Sequence, residues 1–109
     1  MPIEKWSERV SVVHLADDPQ FTDDFVALDG DLTAAAARDV VLDFAAVHFI
    51  NSSNIARLLK LRQTMKSHER KLILCGISTQ VWGAFLVTGL DKIFDFSDNV
   101  PTALATLQM

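Results

Sequence analysis

Apolar residues recur along the chain in short blocks of two kinds, and the alternation between the two predicts the elements. The segment Arg9-Val10-Ser11-Val12-Val13-His14-Leu15 alternates and then thickens with apolar residues, which predicts an N-terminal strand with Trp6 packed beneath it. Asp17-Asp18-Pro19 breaks the pattern. Thr22, Asp23 and Asp24 then offer a cap and negative charge for a first helix with an apolar stripe of Phe25, Val26, Leu28 and Leu32. Gly30 lowers helix propensity there by about 1 kcal/mol relative to alanine. The small residues Ala34 to Ala37 extend the helix or let it lie close to the sheet, and Arg38-Asp39 ends it.

Val40, Val41, Leu42 and Phe44 form the second strand, of the kind covered on both faces. Asn51, Ser52 and Ser53 are good caps, so a second helix begins within about two residues of Ser52. At 100° per residue, Ile55, Leu58, Leu59, Leu61 and Met65 share one broad arc, with Arg57, Lys60 and Thr64 opposite. Arg62 falls among the apolar positions, its stem along the core edge and its guanidinium reaching water or a carboxylate. Ser67-His68-Glu69-Arg70 closes this helix. Lys71 to Gly76 reads as a buried strand, and Ser78 or Thr79 caps a third helix carrying Val81, Trp82, Phe85 and Leu86. Gly89 stops it in the left-handed conformation, with Leu90 folding back as its contact. Lys92 to Phe96 makes a last strand. Asp98 or Asn99 caps a final helix with Pro101 in its first turn and Leu104 and Leu107 facing inward.

Strand and helix thus alternate throughout, which requires long crossovers and hence a mainly parallel sheet. The expectation is a single α/β domain over residues 1–109, a mostly parallel sheet of four or five strands with about four helices. Val41, Leu42, Leu58, Ile73, Leu74 and Phe85 are predicted to be core.

The 109 residues, 50% of them hydrophobic, suffice for one core and leave no room for a second domain. A net charge of −4 argues against nucleic acid and against an anionic membrane surface. Cys75 is the one cysteine and lies in an apolar run, which fits a reducing, cytoplasmic setting. No run approaches the roughly 18 apolar residues that a membrane span needs, so direct membrane insertion is not expected and the chain reads as a complete soluble domain. His14, His48 and His68 are too scattered for a metal site, and His48 reads as a partly exposed histidine at a strand end. There is no Gly-rich phosphate loop, nucleophile elbow or dinucleotide fingerprint, so neither catalysis nor a cofactor is expected. The pairs Asp17-Asp18 and Asp23-Asp24 resemble a metal or acid–base cluster, which is all that an enzymatic reading would have behind it, yet helix-start charge and solvation explain them as well. Charge is polarised: eight acidic residues lie from Asp17 to Asp43, whereas Arg57, Lys60, Arg62, Lys66, Arg70 and Lys71 crowd one stretch. Such polarity can steer a protein partner.

The sharpest candidate chemistry is the Asn51-Ser52-Ser53 turn. A hydroxyl at a helix N-terminus can carry a phosphate that the free N–H groups and the helix dipole stabilise, and Arg57 lies one turn beyond Ser53. The competing reading is that both serines only cap the helix. The whole stretch Val40-Val41-Leu42-Asp43-Phe44 to Asn51-Ser52-Ser53-Asn54-Ile55 resembles the signature of the STAS domain, shared by anti-sigma-factor antagonists and sulfate-transporter tails. In that pattern a V-L-D-L strand leads to D-S-S/T-G-L at a helix start. Asp43 matches the strand aspartate, and Ser52 and Ser53 match the hydroxyl pair, of which the first is normally phosphorylated. Asn51 stands in place of the family's aspartate and Asn54 in place of its glycine.

The resemblance implies a non-enzymatic signalling module in transcription regulation. It would bind an anti-sigma factor of the serine-kinase type through Asn51, Ser52, Ser53, Asn54 and Arg57, with Asp43 orienting the turn from the carboxyl end of its strand. Phosphorylation of Ser52 or Ser53 would release the partner. The alternative implied by the same resemblance is an accessory subunit of a lipid or anion transport complex. Asn54, bulkier than glycine and bearing an amide, is expected to reshape the partner pocket. Asn51 caps as well as an aspartate, so the fold is expected not to register that change, whereas Ser52 should be modified slowly or not at all.

Overall fold

The protein is described from a computed structural model over residues 3–5, 9–31 and 38–107. The elements run β1 (Ile3–Lys5), β2 (Val10–Ala16), α1 (Gln20–Asp31), β3 (Asp39–Ala46), α2 (Ser52–Ser67), β4 (Leu72–Cys75), α3 (Thr79–Thr88), a 3-10 turn (Leu90–Lys92), β5 (Asp95–Ser97) and α4 (Val100–Leu107). The strands lie in sequence order in one sheet. β1 pairs antiparallel with β2, and the ladders β2–β3, β3–β4 and β4–β5 are all parallel.

Parallel neighbours in sequential order, each joined by a right-handed crossover, carry successive helices to the same side of the sheet. The packing agrees. Val13, Leu15, Val40, Leu42, Phe44, Leu72 and Leu74 point into one core with Phe21, Phe25 and Leu28 of α1, Leu58, Leu61 and Met65 of α2, and Val81 and Phe85 of α3. The intervening strand residues Val10, Val12, Val41, Ile73 and Cys75 face the other way, where Ala103 of α4 closes a smaller core with Val100, Leu104 and Leu107. Alternate side chains of one strand serve two cores because they project to opposite faces, which is why Val40-Val41-Leu42 of β3 and Leu72 to Cys75 of β4 read as unbroken apolar runs. All six predicted core residues are buried.

Three apolar residues expected to face inward are exposed: Val26 by 59%, Leu59 by 39% and Leu86 by 52%. One cause covers all three. The buried positions recur at spacings of three and four (Phe21, Asp24, Phe25 and Leu28; Asn54, Leu58, Leu61 and Met65; Val81 and Phe85), and each exposed residue directly follows one of them, about 100° around the helix. α1 begins at Gln20, so Thr22 lies within it and Asp18 receives both the Thr22 amide and hydroxyl, at 3.0 and 2.8 Å. Arg62 meets no carboxylate among the described residues; its Nε donates to the Ile93 carbonyl at 3.0 Å, at the partly exposed edge of the core. Lys92 belongs to the 3-10 turn, which shortens the last strand to Asp95–Ser97.

Other ends match their sequence signals. Ser78 accepts the Val81 amide, Gly89 is left-handed at φ 75° with Leu90 buried behind it, and Asn99 accepts the Thr102 amide. The C-terminus of α2 closes by the amides of Glu69 and Arg70 reaching back to Lys66 and Met65, with Glu69 itself left-handed at φ 56°. Trp6, Leu32 and Ala34 to Ala37 lie outside the described residues.

Candidate functional site

Asp43 sits in β3 just before the ladder with β2 slips: His14 faces Asp43 and Ala16 faces Ala46, so two residues of β3 oppose Leu15 alone. This is a β-bulge, which leaves a backbone group without a ladder partner. Asp43 supplies the partner, its Oδ1 accepting the Ala45 amide at 3.0 Å while Oδ2 meets His14 Nδ1 at 2.8 Å. Next door, Gly76 is left-handed at φ 68°, and a Cβ there would come within 2.8 Å of Asp43 Oδ1. The aspartate that the sequence assigns to the turn therefore has its hydrogen bonds within the sheet, to β2 and to its own strand.

The carboxylates that meet the turn come from the β2–α1 loop. Asp17 accepts the amides of His48 and Phe49 at 2.7 and 3.2 Å, and its other oxygen meets His48 Nδ1 at 3.0 Å. Those bonds, the His48 amide foremost, hold the Asp17 carboxyl below its usual range. They also fix the strand exit that leads to Asn51. Asp18 goes further: one oxygen takes the two Thr22 donors, and the other takes Asn51 Nδ2 at 3.1 Å and Asn54 Nδ2 at 2.9 Å. With Asn54 as the leading cause and Thr22 next, its carboxyl is drawn down to about 2. Asp18 ties the start of α1 to the start of α2.

Asn51 is the N-cap of α2. Its Oδ1 accepts the Asn54 amide at 2.8 Å and Asn54 Oδ1 accepts the Asn51 amide at 3.0 Å, a reciprocal capping box. Because the two asparagines close the helix end, neither serine hydroxyl is needed for it. Ser52 and Ser53 are both exposed, and neither makes a side-chain hydrogen bond among the described residues. The reading in which the serines act as caps is set aside on this geometry.

Two expectations about this turn change. Asn54 does not offer its amide to a partner: it is 2% exposed, with both side-chain groups engaged internally. Nor is the fold indifferent to residue 51, because the Asn51 amide donates to Asp18 and a carboxylate cannot. Arg57, placed by spacing on the solvent side, is half-buried, and its Nε is enclosed without an acceptor among the described residues. What the turn presents outward is Asn51, Ser52 and Ser53, flanked by Phe49 at 66% exposure and by the partly exposed Ile50. Among the described residues no group of three His, Cys, Asp or Glu side chains is arranged to hold a metal ion. None of their helices is long and apolar enough to cross a membrane.

Asp17 and Asp18 were legible as helix-start charge or as part of an acidic cluster, not as partners of the turn. The cue to their role is the pair Asn51 and Asn54 at capping-box spacing, whose spare amide hydrogens require an acceptor from elsewhere.

The sequence model of the STAS domain matches residues 3–103. Among solved structures, an anti-sigma-factor antagonist (STAS) domain protein from Planctomyces limnophilus superposes with a TM-score of 0.84 at 19% identity, covering 98% of each chain. A serine-to-glutamate variant of RsbS from Moorella thermoacetica gives 0.79 at 21% identity, over 99% of this chain and 96% of its own. A sulfate transporter family protein from Wolinella succinogenes gives 0.76 at 20% identity, over 91% of this chain and 84% of that one.

Proposed function

The chain belongs to the STAS domain family, and from that premise we propose that it is a non-enzymatic interaction module of the anti-sigma-factor antagonist kind. It binds a serine-kinase-type anti-sigma factor through the outward face of the Asn51–Ser53 turn and is released when a serine there is phosphorylated. The observation that carries this reading is the division of labour at the start of α2. Asn51 and Asn54 cap the helix and leave the Ser52 and Ser53 hydroxyls exposed and unengaged, at a point where free N–H groups favour an added phosphate. Phe49 and Ile50 supply an apolar margin of the kind that protein interfaces desolvate. Arg57 enters as a supporting cation beneath Ser53, and Asn54 as the residue that shapes the turn from within.

A second reading, an accessory subunit of a transport complex, is favoured by one observation, the matching fold of a sulfate transporter family protein. Affinity capture from the native cell, using wild type and Ser53→Asp as baits, separates the two. An ATPase of the histidine-kinase fold, retained by wild type and lost by the variant, supports the first. A transporter nucleotide-binding subunit retained by both baits supports the second.

A further inference from the structure

About 20 Å from the turn, at the opposite end of α2, the basic residues of the sequence converge on one concavity. Arg62 and Lys66 lie one helical turn apart on the same face, and Arg70 and Lys71 follow from the loop into β4. All four line a cavity of about 230 Å³. Its floor is apolar, formed by Met65, Leu72 and Phe94.

Arg62 is anchored through its side chain, and Arg70 and Lys71 through their backbone. The Arg62 guanidinium is tethered through Nε to the Ile93 carbonyl, which leaves its terminal nitrogens for another acceptor. The Arg70 amide is bound to the Met65 carbonyl and the Lys71 amide to Asp39 Oδ1, both at 2.9 Å, so the backbone that presents the last two cations is fixed. None of the four has an ion-pair partner among the described residues, and Asp95 is the single carboxylate in the lining. In a chain of net charge −4, four cations line the groove against Asp95, with Asp39 at the Lys71 backbone, which leaves a local excess of positive charge.

We propose that this groove is a second docking surface, which takes an acidic segment of a partner protein with an apolar side chain seated on the floor. Two features select that occupant. The cavity is smaller than the roughly 300–1,000 Å³ that encloses a small-molecule ligand. Its cations are strung along more than a helical turn rather than gathered at a point, which suits successive carboxylates better than one phosphate. The surface is separate from the Ser52–Ser53 turn, so it stands whether or not the phosphorylation reading does.

The test titrates the full chain with a fluorescein-labelled peptide of glutamates and aspartates around a central leucine, followed by anisotropy and by backbone amide NMR. Saturable binding is expected, with shifts confined to residues 62–72 and 93–95 and an affinity that falls steeply with added salt. The double variant Lys66→Glu, Arg70→Glu should weaken it about tenfold or more, whereas Asp95→Asn, which removes the opposing charge, should tighten it about two- to fivefold. The tightening variant cannot be mistaken for misfolding. The proposal is overturned by absence of saturable binding at low salt, or by shifts centred on residues 51–54. It is equally overturned if inorganic phosphate or a short RNA competes at lower concentration than the unlabelled peptide, or if sedimentation shows a second copy of this chain seated on the groove.

Discussion

Asp18 is the side chain on which the geometry of the turn depends, and its removal has a calculable cost. Its carboxylate faces four donors, two from Thr22 on one oxygen and the two asparagine amides on the other. In Asp18→Ala the amide of Asn54, a residue 2% exposed, loses its acceptor, which costs about 1–3 kcal/mol for a buried donor. Loss of the α1 cap adds about 1 kcal/mol. Because Asp18 is itself exposed, the lower part of that range applies, and we expect about 2–3 kcal/mol in all. Asp18→Asn should recover little of it. All four neighbours are donors, and an amide must turn its own N–H groups toward one pair of them.

The pH dependence follows from the carboxyl being drawn from 3.8 to about 2 in the folded state. A depressed folded value means that the charge-dependent stabilisation is complete above the unfolded value, 3.8, and is lost as pH falls through about 2. After discounting for solvent screening, the gap between wild type and Asp18→Ala should narrow by about 1 kcal/mol from pH 5 to pH 2. Urea unfolding followed by circular dichroism measures both values. A variant within about 0.5 kcal/mol of wild type at pH 7, or a gap that does not change with pH, would refute the reasoning.

Asn51→Asp should cost about 1–2 kcal/mol, since it turns a 3.1 Å donor–acceptor contact with Asp18 into two facing carboxylates. A double-mutant cycle with Asp18→Asn should reveal coupling between the sites, and additive effects would count against it. Gly76→Ala should lower stability by about 2–3 kcal/mol, from the left-handed backbone and the approach to Asp43, as read by thermal melting. Cys75, its thiol pushed up to about 12 by burial and then by Asp43, should resist iodoacetamide at pH 8 in the native protein and react once guanidinium unfolds it.

The central scaffold is legible in sequence because Val40-Val41-Leu42 of β3 and Leu72 to Cys75 of β4 are continuous apolar runs, as expected of strands covered on both faces. Asn51 as a cap, Ser78, Gly89 and Asn99 were equally readable, since each acts on its own helix through local hydrogen bonds. What local pattern cannot supply is the destination of a side chain that leaves its own element. Asp18 looked like helix-start charge and does receive the Thr22 donors, yet its second oxygen belongs to a turn more than 30 residues away. Asn54 looked like a surface departure from a family glycine, and burial against that same carboxylate reverses its meaning. β1 spans three residues, too few to display an alternation, so its antiparallel pairing with β2 had no sequence signal.

The most direct test of the proposed function is a calorimetric titration of the proposed partner, a serine-kinase-type anti-sigma factor recovered by that affinity capture, with wild type, Ser52→Asp and Ser53→Asp. If the outward serines are the switch, wild type binds and at least one of the acidic variants loses tenfold or more in affinity while its melting temperature is unchanged. Equal affinity for all three proteins would place the interface elsewhere and contradict the account.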